Sequence, residues 1–267
     1  MAKRIGMVIA MCAVLAACGG NSGSGSNAAA GKTFSYGAAT TNDAAVTSVT
    51  STMSSALSTT ASASSLPSLA GSVSVVNSTL LGSPYSTSQA LSEQRSQALA
   101  AKVVTRSAEF TDEACHTETD TKITFNNCVY TDGTYSATVS GTAELLSDSH
   151  AQWDLTIHET STDTSVSFDF TYAFSGDLQG SDTALKGQLL ESLDLSASGN
   201  GQSVALGLDE SLDIDVTLDS ACDSRVVGGT LVGKRVWTKK PDGFNATDKA
   251  ARITWTACGE ATIQLSN

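Results

Sequence analysis

The chain has 267 residues, 15 Lys and Arg against 27 Asp and Glu, a net charge of −12, and 39 serines with 33 threonines. A chain so acidic lacks the basic surface that a nucleic-acid binder needs to displace counterions. Past the N-terminus no uncharged apolar run is long enough to cross a bilayer as a helix, and an apolar share of 40% in strongly patterned runs excludes wholesale disorder.

At the N-terminus Lys3 and Arg4 precede an apolar stretch, Ile5 to Leu15, followed by small residues. This is the layout of a secretory signal peptide. It ends in Leu15-Ala16-Ala17-Cys18, which resembles the lipobox of bacterial lipoproteins. The resemblance implies cleavage before Cys18, a diacylglyceryl group on its thiol and acylation of the new amino terminus. Gly19 and Gly20 follow in place of an inner-membrane retention Asp, which implies the outer membrane. Two or three acyl chains anchor stably where one is marginal.

Residues 1–17 are thus expected to be a signal peptide, and 18–42 the lipidated cysteine with a flexible Gly/Ser/Asn tether that leaves the orientation of the body free. Residues 43–111 read as helical. Val46, Val49, Met53, Ala56 and Leu57 recur at helical spacing behind Asn42 or Asp43. A second helix is expected after Pro84, where Ser86 to Gln89 fits a capping box, with Ala90, Leu91, Ala98 and Leu99 as its stripe up to about Ser107. Between them, Ser68 to Ser83 reads as either an isolated strand or a loop.

From about Thr121 the period changes to two, and 112–267 read as an antiparallel β body. Trp153, Leu155 and Ile157 alternate with Asp154 and Thr156, and Phe168, Phe170, Tyr172 and Phe174 with Asp169, Thr171 and Ala173. Strict alternation broken by Gly, Asn and Asp turns means strands with one dry and one wet face. Eight or nine strands in a curled meander are expected, an α+β fold with the two helices over the apolar face. A transmembrane barrel would show the same period. Aromatics at 6%, and Glu191 and Glu210 on the apolar side, speak against it.

Asn200-Gly201 is a strong hairpin signal. A two-residue turn there makes paired residue numbers sum to 401. Leu195 then meets Leu206, Leu193 meets Leu208, Leu189 meets Leu212 and Lys186 meets Asp215. Glu191 falls opposite Glu210 on the dry face, where two carboxylates cannot both ionise freely. Arg235 is the candidate cation for a buried cluster. Acid–base hydrolysis by such a pair is the weakest reading, and a structural bridge or a wet stretch of sheet are the others.

Four cysteines, Cys115, Cys128, Cys222 and Cys258, remain in the mature chain. They allow three pairings; a meander favours Cys115–Cys128 with Cys222–Cys258. No close pair of cysteines suggests a metal site. Asp209, Asp213, Asp215 and Asp219 share a strand face, a calcium-like stripe that lacks a binding loop and reads better as a solvated surface. Trp237, Lys239 and Lys240 are candidates for contact with an anionic surface, while Lys234 is expected opposite Asp209. His116, His150 and His158 belong to no catalytic motif. No catalytic residue, metal or cofactor is expected. The whole reads as an envelope lipoprotein acting as a non-catalytic binding module for an apolar ligand or a protein partner, or as a structural protein with a filled core.

Overall fold

The computed structural model describes residues 27–41, 44–50, 72–81, 111–163, 167–199 and 201–267. The signal peptide, Cys18, most of the first expected helix and all of the second lie outside them.

The period-two region forms a single ten-stranded antiparallel sheet in sequence order. Its strands are β1 (His116–Glu118), β2 (Lys122–Asp132), β3 (Tyr135–Ser147), β4 (His150–Thr162), β5 (Ser167–Gly180), β6 (Ala184–Gly199), β7 (Gln202–Leu218), β8 (Val226–Lys239), β9 (Lys249–Ala257) and β10 (Glu260–Leu265). Ten strands replace the expected eight or nine, partly because β1 lies upstream of Thr121. The β6–β7 register follows the 401 sum from Gly199–Gln202 to Ala184–Thr217, and Gly201 takes the positive φ (76°) that its turn requires. Cys115 is bonded to Cys128 and Cys222 to Cys258. The first bond staples the β1–β2 edge and the second joins the loop before β8 to the turn after β9.

One face of the sheet is apolar. Trp153, Leu155, Phe174, Leu178, Leu189, Leu212, Leu231 and Ile253 form its main cluster. Two helical pieces close it. Residues 44–50 bring Val49 into the cluster, and Trp255 donates its indole N–H to Thr50 Oγ1 at 3.3 Å. The segment left between strand and loop is a helix, Ser72–Leu81, which seats Val76, Leu80 and Leu81 on the same face. Valine, serine and asparagine are weak helix formers, so packing on the sheet must supply what propensity does not. Asn77 completes the seat by donating to the carbonyls of Lys234 (3.2 Å) and Ser211 (3.5 Å).

Residues 27–41, expected in the tether, are docked. Asn27 caps a four-residue helix, Ala28–Gly31, which lies on the polar face. Ala28 N donates to Asp209 Oδ2 at 2.6 Å, and Lys234 Nζ to Ala30 O at 3.4 Å. Beyond it the chain runs antiparallel to β10 through bridges Tyr36–Ser266 and Thr40–Ile263. It reaches the apolar side at residues 44–50. This strap clasps the β10 edge and satisfies backbone groups that would otherwise recruit another strand.

Helix Ser72–Leu81 approaches β8 closely at Gly233, where a Cβ would stand 2.1 Å from Asn77 Oδ1. Gly233→Ala is expected to destabilise by about 1–3 kcal/mol through overpacking. Adding Asn77→Ala to that variant should recover part of the loss. Thermal melts of the three chains check this, and an unchanged melting temperature in Gly233→Ala would remove the helix from its place.

Candidate functional site

Alternation carries Glu191, Glu210 and Arg235 to the middle of the apolar face, where register aligns them across β6, β7 and β8. Their relative exposures are 4%, 5% and 3%. Arg235 Nε donates to Glu210 Oε1 at 2.6 Å. Glu191 Oε2 is buried with no hydrogen-bond partner among the described residues. Burial and the neighbouring Glu210 charge push the Glu191 carboxyl well up from its ordinary range. Burial also raises Glu210, while Arg235 pulls it back. The row separates the main cluster from a smaller one of Leu206, Leu208, Trp237 and partly buried Leu193, Phe244 and Ala246. It is a buried ion pair with a third carboxyl beside it.

A third buried carboxyl, Glu159 on β4, escaped the sequence reading. It is 2% exposed, and burial raises its pKa from 4.5 to about 7, with the Tyr135 phenol opposing that rise. The signal was present: Glu159 continues the parity of Trp153, Leu155 and Ile157.

The polar face holds open relief. A groove of about 560 Å³ crosses the strands along the row Thr138, His158, Thr171, Asp194, Gly207 and Lys239. A second, of about 390 Å³, is lined by Asp154, Ser175, Asp177 and Gln188. Helix Ala28–Gly31 stands over the row between them, on Ser192 and Asp209. Cross-strand pairing organises the charges of this face: Lys122–Glu144, His150–Asp177, His158–Asp169, Lys186–Asp215, Lys234–Asp213 and Lys239–Asp194. The result is a surface of hydroxyls, amides and paired charges with few aromatic platforms.

Several expected sites dissolve here. Asp213 is taken by Gln188 and Lys234, Asp215 by Lys186, Asp209 by the Ala28 N–H and Asp219 by the Ala221 N–H, so each acid of the stripe has its own partner. Lys234 sits opposite Ser211, and Asp209 opposite Val236. Trp237 is not an exposed contact, since it is buried edge-on to Phe244 at 4.8 Å. The register shifts between Gly207 and Leu208, so Lys239 leaves the parity of Trp237 and meets Asp194. Lys240 alone of the three stays exposed without an ion pair among those described. Cys115, His116 and Cys128 bring ligand-type atoms within 4.8 Å of one another, but the two sulfurs are bonded to each other.

No protein-family model, curated protein or solved structure matches this chain.

The buried acids set a pH dependence. Folded Glu159 holds its proton up to about pH 7, and unfolded only to about 4.5. The folded state therefore binds more protons in that window, and its stability falls as pH rises from 4.5 through 7. Glu159→Gln is expected to gain about 3 kcal/mol over the parent at pH 8 and little at pH 4.5. Glu191→Gln should gain with the same sign. Urea unfolding at the two pH values checks both, and a gain equal at pH 4.5 and 8 would refute the assignment.

Proposed function

We propose that this chain is an exported lipoprotein, held at the outer membrane by acyl chains on Cys18, and that its β body is a non-catalytic binding module working through the polar face. The observation that carries this reading is the pair of grooves flanking helix Ala28–Gly31. Two disulfides agree with an oxidising compartment. The apolar face is occupied by its own side chains and by helix Ser72–Leu81. A partner offering hydrogen-bonding groups, such as an envelope protein, therefore fits better than a lipid or other apolar ligand. The filled face also favours a second reading, a structural surface protein with no ligand.

Cys18→Ala should abolish palmitate incorporation and release the chain from membranes, as fractionation and mass analysis of the N-terminal peptide would register. Native mass spectrometry of the full acylated protein then separates the readings. A retained apolar ligand moves the site to the apolar face. For the grooves, a photo-crosslinking residue at Thr171 should give a discrete protein adduct in cells that one at exposed Leu146 does not. Equal adducts, or none, favour the structural protein.

A further inference from the structure

Glu159 is held differently from the acid of the central row. Glu210 has the Arg235 guanidinium at 2.6 Å. Glu159 is 2% exposed, and no cation faces it among the described residues. Tyr130 and Asp132 face it from β2 and Tyr135 from β3, while β5 presents Phe168 and Phe170. His158, its neighbour in sequence, points to the polar side and pairs with Asp169. A neutral carboxyl suits such a place. An ionised one has no counter-charge there and must reach water.

Register shows how near that water is. Glu159 stands in the row Tyr130, Ala137, Glu159, Phe170 and Leu195. The next row outward on this face, Tyr135, Ser161, Phe168, Ala197 and Val204, adjoins the turns that close β2–β3, β4–β5 and β6–β7. Four of its side chains are half-buried, and Val204 is 41% exposed. The carboxyl is thus two residues, about 7 Å along the strand, from a wet end of the sheet. Inward, the Glu191–Glu210–Arg235 row lies four residues away and is itself closed. Tyr130, Ala137 and Tyr135 form a cluster of their own, apart from the main core. This end can therefore loosen while the main core stays packed.

We propose that Glu159 is a pH-sensitive catch: protonated, it lets the Tyr135 end of the sheet close, and ionised, it frees that end to open and bare Tyr130, Tyr135, Phe168 and Phe170. The sense follows from burial. The closed form holds the proton, and the open form, with the carboxyl in water, gives it up, so rising pH favours opening. With a pKa of about 7 when closed and 4.5 when open, the opening constant is about tenfold larger at pH 8 than at pH 6. The Glu210–Arg235 pair, two rows further in, stays outside the segment that moves.

Amide hydrogen exchange of the full chain tests this, with rates at pH 6 and pH 8 each divided by the intrinsic rate at that pH. The opening constant at residues 135–139 and 157–161 is expected to rise about tenfold. It should change little in dilute urea, since a local opening exposes little surface. Glu159→Gln should remove the pH dependence at these amides, and Glu191→Gln should leave it. Exchange there that climbs with urea as steeply as at Leu189 and Leu212 places the release in global unfolding and overturns the proposal, a comparison that needs no variant. A pH dependence that survives Glu159→Gln, or none in the parent, overturns it as well.

Discussion

The pairing of Glu210 with Arg235 inside the apolar face is the interaction that makes the rest of the sheet unambiguous. Alternation excludes slips of one residue, because they would turn Leu189, Leu212 and Leu231 to water. It is blind to slips of two, which keep every apolar side chain inside. A two-residue slip between β7 and β8 would set Arg235 against Leu208 or Leu212 and leave two buried charges without partners, a cost of several kcal/mol. The register observed, Glu210 against Arg235 and Leu212 against Gly233, avoids that. It also presents Gly233 to Asn77, so the seat of helix Ser72–Leu81 depends on the same alignment.

The sheet is finished by a segment that has no periodicity of its own. Residues 27–41 pass from the polar face to the β10 edge, held by capping, by Lys32–Asp248, by Arg252 over the Tyr36 ring at 4.4 Å and by the two bridges to β10. Each contact is small. Together they cover an edge whose unpaired groups invite intermolecular pairing. Asn27, the first residue of this described segment, fixes its start over β6 and β7.

What could be read in the sequence followed from how local the governing rule was. The β6–β7 register was legible to the residue because a two-residue turn fixes it and matched leucines agree on both strands. Arg235 was found by parity for the same reason. Lys239 changes face because a bulge at Thr238 reverses its parity relative to Trp237, and a bulge leaves no mark in a pattern of alternating residues; Trp237 keeps the parity of Arg235, so its burial was legible. Helix Ser72–Leu81 was invisible because Val73, Val75 and Val76 favour strands, and its helicity comes from contacts with β7, β8 and β9 distant in sequence. The docked strap was hidden by composition: small polar residues suit a flexible tether and a hydrogen-bonded one equally well.

The two faces hold their charges differently, and this bears on which one can act. Within the apolar face the ionisable groups are locked, since moving Arg235 strands a buried carboxylate and ionising Glu191 sets like charges side by side. On the polar face the cross-strand pairs are mostly solvent-exposed, and pairs of this kind are worth between about 0 and 1 kcal/mol each. A partner can break several of them at little cost and re-form them with its own groups. Because these charges are balanced locally, binding there must come from matched hydrogen bonds more than from long-range attraction. A partner that met a face built in this way would be selected by shape and donor–acceptor pattern.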